Sequence, residues 1–477
     1  MDLMESVKSR MNGRSDLRYQ PFEANGYGCC VLYLEGSIDL EMLQSHVFRP
    51  LQRRANGVDK DRWRRSLFDD LNLMSTPYFV TDNEDDMIAA MLEGKVVLTV
   101  KGQGRAAILP LAKQSLRSIS MPQNEKTVRG PQDAFVEDIW TNLSLIRQRI
   151  KTTDLKVDSF ELGTESKTLV LLLYMKSKCE PRLVKEVGAK LNGIHVEGLF
   201  GSNMVEEYLD TNKFSPFPQS QYTERPDAAI TALIEGKVVI LVNGTPNQLI
   251  LPASLVAFLQ AAEDYYQRFF FSSWIRLIRY LFFAVSLILP SAYVAITTFH
   301  PEMIPVSLLI SVASSRDLVP FPAVFEAFAM ELTFEVLREA GQRIPAAMGQ
   351  TISIVGALVI GEAAVQAGIV SAPMVIVVSL TGISSFIIPH FELNLAVRLL
   401  RFSLLILAGM FGLLGLLIGI ILILTHLIAL EPFGVPYLSP LVPLDRLKLG
   451  DVLIRLPWTT MMKLKQRQQQ KQKQNAE

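Results

Sequence analysis

Up to about residue 270 the chain mixes polar and apolar positions at the periods of strands and helices; beyond that, long apolar runs take over. Val96–Val100 (VVLTV) and Val238–Val242 (VVILV) are β-branched runs. Each leads through a glycine-bearing turn, KGQG or NGTP, into a second apolar run, so each predicts a β-hairpin. The apolar runs Cys29–Leu34 and Thr168–Tyr174 predict a first strand upstream of each hairpin, followed by helix-like stretches near Leu40–Leu51 and Arg182–Leu191. Between these regions Ile139, Leu143, Ile146 and Ile150 recur at helical spacing, with Arg147, Arg149 and Lys151 where they suit a helix C-terminus. The Pro-rich stretch Pro216–Asp227 cannot form a continuous helix and predicts an ordered loop.

The two hairpin regions are copies. Asp85–Pro110 returns 142 positions later as Asp227–Pro252, with Glu93-Gly94-Lys95-Val96-Val97 on Glu235-Gly236-Lys237-Val238-Val239 and Ile108-Leu109-Pro110 on Ile250-Leu251-Pro252. A match at one fixed offset implies two copies of one supersecondary unit. The expected organisation is a first α/β subdomain at 1–125, a connecting helix at 126–152 and a second α/β subdomain at 153–270. A membrane domain follows at 271–460 with about five transmembrane helices, then a disordered basic tail at 461–477. The fold class is thus a duplicated α/β region followed by an all-α polytopic membrane domain.

Composition narrows the chemistry. The 47 basic residues balance 47 acidic ones, so nothing suggests a nucleic-acid partner. Cys29, Cys30 and Cys179 have neither framework nor metal-site spacing and are expected to be reduced thiols. The first twenty residues lack the apolar centre of a secretory signal, which favours a cytosolic first half. Gly102, Gly104 and Gly244 belong to turns, and no phosphate-binding, nucleophile-elbow or zinc-protease pattern is present. No catalytic activity, cofactor or bound metal is therefore expected.

In the apolar half, spans are expected at about Leu281–Phe299, Leu318–Leu337, Thr351–Ile369 and Met374–Ile388, the last two forming a hairpin. Trp274, Arg276, Arg279 and Tyr280 are interfacial anchors for the first, and Arg338, Arg343, Arg398 and Arg401 mark cytosolic loops. Phe402–Leu430 either crosses at a tilt, leaving the Lys-rich tail outside against the positive-inside rule, or bends back around its glycines; re-entry of the segment after it is a further option. Gly409, Gly412, Gly415 and Gly419 recur on or near one face, as helix packing or a gating element would require.

The second span carries the candidate chemistry. Glu331, Glu335 and Glu339 share one helix face, Glu326 lies off that row, and Arg338 could neutralise Glu331 or Glu335. Carboxylates in a bilayer face a protein interior or a water-filled path. One per chain in a ring of chains would favour cations; alternatively, Glu–Arg pairs fix helix packing. Glu362 and Gln366 form a second polar stripe.

The strings RGPQDAFVEDIWTNLSLIRQRIK, PFPQSQYTERPD, EGKVVILVNGTP, EDYYQRFF, REAGQRIPAAMGQTISIVGALVIGEAAVQAGIVSAPMVIVV and SSFIIP resemble the A subunit of the GerA family of spore germinant receptors, from about residue 20 to 460. The first subdomain matches loosely, and Glu362 stands where the family is expected to carry Gln. The resemblance implies a subunit of the spore inner membrane that oligomerises into a cation channel. Its implied partners are a transporter-like, nutrient-binding B subunit, a lipoprotein C subunit, membrane lipid and monovalent cations. A non-conducting scaffold of the same receptor and a secondary transporter are the alternatives; a transporter predicts inverted repeats in the membrane half.

Overall fold

The duplication in the sequence is a duplication of structure. A computed structural model of the chain describes residues 3–11, 14–53, 59–70, 73–74, 76–112, 121–343, 361–444, 449–457 and 459–460. It divides into an α/β unit, Met1–Thr211 with Ser220–Pro252, and a helical unit, Asn212–Gln219 with Ala253–Glu477.

In the α/β unit, β1 (Leu17–Ala24), β2 (Tyr27–Leu34), β3 (Phe79–Thr81), β4 (Val96–Val100) and β5 (Ala106–Leu109) form a sheet in the order β1-β2-β4-β5-β3. The second copy repeats that order as β6-β7-β9-β10-β8, from β6 (Leu155–Leu162), β7 (Thr168–Met175), β8 (Gln221–Thr223), β9 (Val238–Val242) and β10 (Gln248–Leu251). All pairs are antiparallel, and Val96 opposite Leu109 matches Val238 opposite Leu251 in register.

The continuous apolar runs are explained by cover on both faces of the sheet. Val31, Val96, Leu98, Val100 and Leu109 pack with Trp63 and Leu67 of α2 (Lys60–Phe68) and with Leu43, Val47 and Leu51. The alternate residues Leu32, Leu34, Val97 and Ile108 pack with Val7 of α1 (Leu3–Arg10) and with Met87 and Met91 of α3 (Glu84–Leu92).

The helix expected as a connector, α4 (Ile139–Arg149), has a different role. Asp138 caps it, accepting from Thr141 N at 2.9 Å. Its Ile139, Leu143 and Ile146 lie in the core of the second sheet with Ala229 and Leu233 of α7 (Pro226–Ile234). α4 stands to α7 as α1 stands to α3, so it opens the second copy. Arg147 is not spent on the helix end. It is buried, pairs with Asp16 of the first copy, and donates to Glu35 O and Ser37 Oγ at 3.0 Å each. Two further helices, α5 (Pro181–Asn192) and α6 (Ser202–Leu209), complete this copy. The loop expected at 216–227 contains the short edge strand β8 and the first residues of α7. The three cysteines are free and buried.

The helical unit is built from α8 (Phe269–Phe299), α9 (Val306–Arg316), α10 (Ala323–Arg343), α11 (Ala372–Phe386) and α12 (Phe391–Ala429). Of these, α8 and α12 are long and apolar enough to cross a membrane. The helix α8 begins earlier than the expected span and runs through Pro290 unbroken. The expected span Thr351–Ile369 lies mostly outside the described residues, as does the tail from 461.

A straight 39-residue helix would measure about 58 Å; α12 is not straight. Gly412 has φ 61° and ψ −142°, a conformation open essentially to glycine alone, and the chain reverses there. A Cβ on Gly419 would lie 2.4 Å from Leu404, and one on Gly415 2.1 Å from the carbonyl oxygen of Leu407. The chain just before α12 and the segment after it meet at Phe258, whose ring is 5.7 Å from that of His390 and 6.4 Å from that of Tyr437. Of the options for Phe402–Leu430, the structure shows the stretch bent back on itself.

Candidate functional site

The charged residues of α10 meet those of the first arm of α12. A carboxylate buried in the packed interior of this unit needs a specific counter-charge. Glu331 finds it in Arg401: Oε2 accepts from Nη1 at 2.6 Å, and both side chains are 1% exposed. One turn on, Glu335 takes two contacts from Arg398, with Nε to Oε1 at 2.8 Å. The glutamates ascend α10 four apart while the arginines descend α12 three apart, as antiparallel neighbours must. Two rungs of one ladder result.

Arg338 is in the field of Glu331 but forms no ion pair with either carboxylate within 4 Å. It donates to Ser385 Oγ of α11 at 2.9 Å, with its guanidinium about 5 Å from the rings of Phe334 and Phe386, at 5.2 and 5.0 Å. Glu339 stays at the surface, bound to Arg343 at 2.7 Å. Glu326 is buried at the start of α10, and its Oε1 accepts from Ser371 N and Oγ at 2.5 Å each. Glu362 accepts from Gln366 Nε2 at 3.1 Å; both side chains are exposed. The structure therefore brings Glu331 and Glu335 together with partners from another helix and leaves Glu326, Glu339 and the 362–366 stripe outside that ladder.

The four glycines of α12 do not form one contact stripe. A Cβ on Gly409 would meet Val324 of α10 at 2.5 Å, Gly412 is the reversal point against Phe299, and Gly415 and Gly419 face the opposite arm.

Sequence reasoning placed Arg398 and Arg401 in a cytosolic loop. They lie within α12, and Arg401 is buried. The signal was available: Arg398 and Arg401 fall on one face of an apolar helix, complementary to Glu331 and Glu335. Arg276 and Arg279, expected as interfacial anchors, are likewise internal. Arg276 Nε donates to Asp264 Oδ2 at 3.0 Å and Nη1 to Asp451 at 2.8 Å, and Arg279 Nη1 reaches Asp264 at 2.8 Å. Arg455 Nη1 adds bonds to the carbonyls of Asp264 and Gln267 at 3.0 and 2.8 Å, so residues 449–457 are fastened to the beginning of α8.

A duplicated sheet-and-helix unit is followed by helices cross-linked by buried ion pairs, two of them long and apolar enough to cross a membrane. The chain belongs to the family described as Bacillus/Clostridium GerA spore germination protein, which matches residues 5–468. It is 42% identical over 463 residues to the uncharacterized membrane protein YfkQ of Bacillus subtilis (strain 168), covering 96% of this chain and 89% of that one. Spore germination protein KA of the same organism is 40% identical over 428 residues, at 90% and 78% coverage. Spore germination protein GerLA of Bacillus cereus is 34% identical over 458 residues, at 96% and 93%. Among solved structures, the N-terminal domain of the A subunit of the Bacillus megaterium spore germinant receptor GerK3 is 28% identical. That match covers 52% of this chain and 92% of that one, with a TM-score of 0.38.

Proposed function

We propose that this chain is the membrane-embedded A-type subunit of a nutrient-responsive spore germination receptor. Copies of its helical unit surround a path for monovalent cations, which opens when a transporter-like partner subunit binds nutrient; a lipoprotein subunit completes the receptor. Family membership supports the receptor role. The observation that carries the gating role is the buried Glu331–Arg401 and Glu335–Arg398 ladder between α10 and α12. In low dielectric, paired charges favour one helix arrangement and strongly disfavour partial separation, which suits a two-state latch.

The subunit would reside in the inner membrane of the spore with the α/β unit in the cytosol. The reversal at Gly412 supports an even number of crossings, six rather than about five. Residues 449–457, fastened beside α8, then share a side with the start of that helix. The basic tail beyond them falls on the cytosolic side, in keeping with the positive-inside rule.

A second reading, a non-conducting scaffold, is favoured by one fact. Glu331, Glu335 and Glu339 are each paired within a single chain, so they present no bare ring of negative charge.

Nutrient-triggered cation release from spores carrying Glu331→Gln or Glu335→Gln tests the latch, with receptor abundance measured in parallel. Release that starts earlier or without nutrient is expected, and unchanged release at unchanged abundance would remove the ladder from gating. Cation flux through liposomes containing the purified chain separates conductor from scaffold.

A further inference from the structure

We propose that Glu326 forms a binding site for a monovalent cation, together with the hydroxyls of Ser371 and Tyr293. The inference deepens the cation-handling reading above, and rests on it for its biological setting.

The four carboxylates of α10 sort by counter-charge. Glu331, Glu335 and Glu339 have Arg401, Arg398 and Arg343 within ion-pair distance, whereas Glu326 has no such cation among the described residues. Yet Glu326 is 1% exposed. Its neighbours Ala323 and Ala327 belong to an apolar cluster with Val294 of α8, Met374 and Val378 of α11, and Leu405 of α12. Oε1 is satisfied twice over by Ser371. Oε2 is buried and accepts no hydrogen bond among the described residues. A bare carboxylate oxygen among four packed helices costs several kcal/mol unless a proton, a donor or a cation comes to it, and the hydroxyls around it favour a cation.

The surroundings fit a cation. Ser371 precedes α11 at the capping position, but its hydroxyl makes no capping bond to that helix and turns to Glu326. The buried Tyr293 hydroxyl lies beside Ser371, in the field of Glu326 and Arg316. One negative charge with neutral hydroxyl oxygens balances a single positive charge. A divalent ion would leave excess charge in an apolar cluster and prefers several carboxylates. No group of three His, Cys, Asp or Glu is placed to hold a metal among the described residues.

The test uses the purified full-length chain in detergent. Its unfolding temperature is measured in potassium chloride and in N-methyl-D-glucamine chloride at equal ionic strength, the organic cation being too large for the site. Potassium is expected to raise the midpoint saturably by a few degrees. Glu326→Gln loses that shift and Glu339→Gln keeps it. Ser371→Ala raises the potassium concentration for half-effect by about tenfold, the loss of one hydrogen bond to a charged group, and keeps the test decisive if Glu326→Gln does not fold. Equal midpoints in the two salts, or a shift that survives Glu326→Gln, would overturn the proposal. The readout is stability in detergent, not conduction. A potassium shift without cation release in spores leaves the site standing while the channel reading fails, and release without the shift removes the site alone.

Discussion

The α/β unit and the helical unit place their charges differently. In the repeated EGKVV motif, Glu93 with Lys95 and Glu235 with Lys237 pair at the surface, where water screens them. The α/β unit buries its thiols neutral: burial pushes the Cys29 thiol up to about 12 and the Cys179 thiol up to about 11. Its buried ion pairs, Arg14 and Arg147 with Asp16 and Arg225 with Asp227, lie outside the strands. The helical unit sets such pairs among its helices, with Glu331, Arg401, Asp264, Arg276 and Arg279 all internal. The inner strands assemble here from apolar runs, whereas the apolar helices, which have no polar face to orient them, are cross-linked by ion pairs.

The comparison is broken most severely by stranding one charge. Arg401→Met leaves Glu331 buried without its partner, at an expected cost of about 3–5 kcal/mol, read as loss of folded protein. The double variant Glu331→Met with Arg401→Met recovers most of it, because an apolar pair of similar volume needs no counter-charge.

A smaller effect is expected from the two motif glycines. Gly94 and Gly236 have φ 80° and 89°, and a Cβ would lie 3.0 Å from the Ser37 carbonyl oxygen in the first copy but 2.7 Å from that of Lys178 in the second. Gly236→Ala should cost about 1–3 kcal/mol and Gly94→Ala less, measured as midpoints of thermal unfolding.

The mildest test concerns the thiols. With a folded-state pKa raised above the ordinary value, the thiolate is scarce below that pKa and increases only as pH climbs towards it. At pH 8 a group near 12 is thiolate in about one molecule in ten thousand. Alkylation of Cys29 and Cys179 by iodoacetamide should therefore be slow at pH 8 until the chain is unfolded.

Much of the α/β unit was legible in advance. The repeat fixed β4, β5, β9 and β10, because strands covered on both faces leave unbroken apolar runs. The outer strands β1 and β6 escaped notice, since LRYQPFEA and LKVDSFEL mix charges with few apolar residues on a partly exposed edge. α4 was found as a helix, but its place in the second copy depends on packing with α7 that no local pattern reveals. In the helical unit the carboxylate row was legible and its partners were not. Arginines near a helix start read as interfacial by the positive-inside rule, and only the antiparallel approach of α10 and α12 shows that Arg398 and Arg401 answer Glu331 and Glu335. The glycines of α12 marked a special place, but spacing alone could not tell a packing stripe from a reversal at Gly412.

The ladder also constrains how such a chain can be made. Glu331 and Arg401 are seventy positions apart, so the ribosome delivers the carboxylates long before the arginines that neutralise them. On the membrane reading, neither α10 nor the first arm of α12 can be released into lipid alone without carrying a naked charge. The earlier helix has to wait beside the insertion machinery until the later one arrives, which makes the two a single unit of biogenesis.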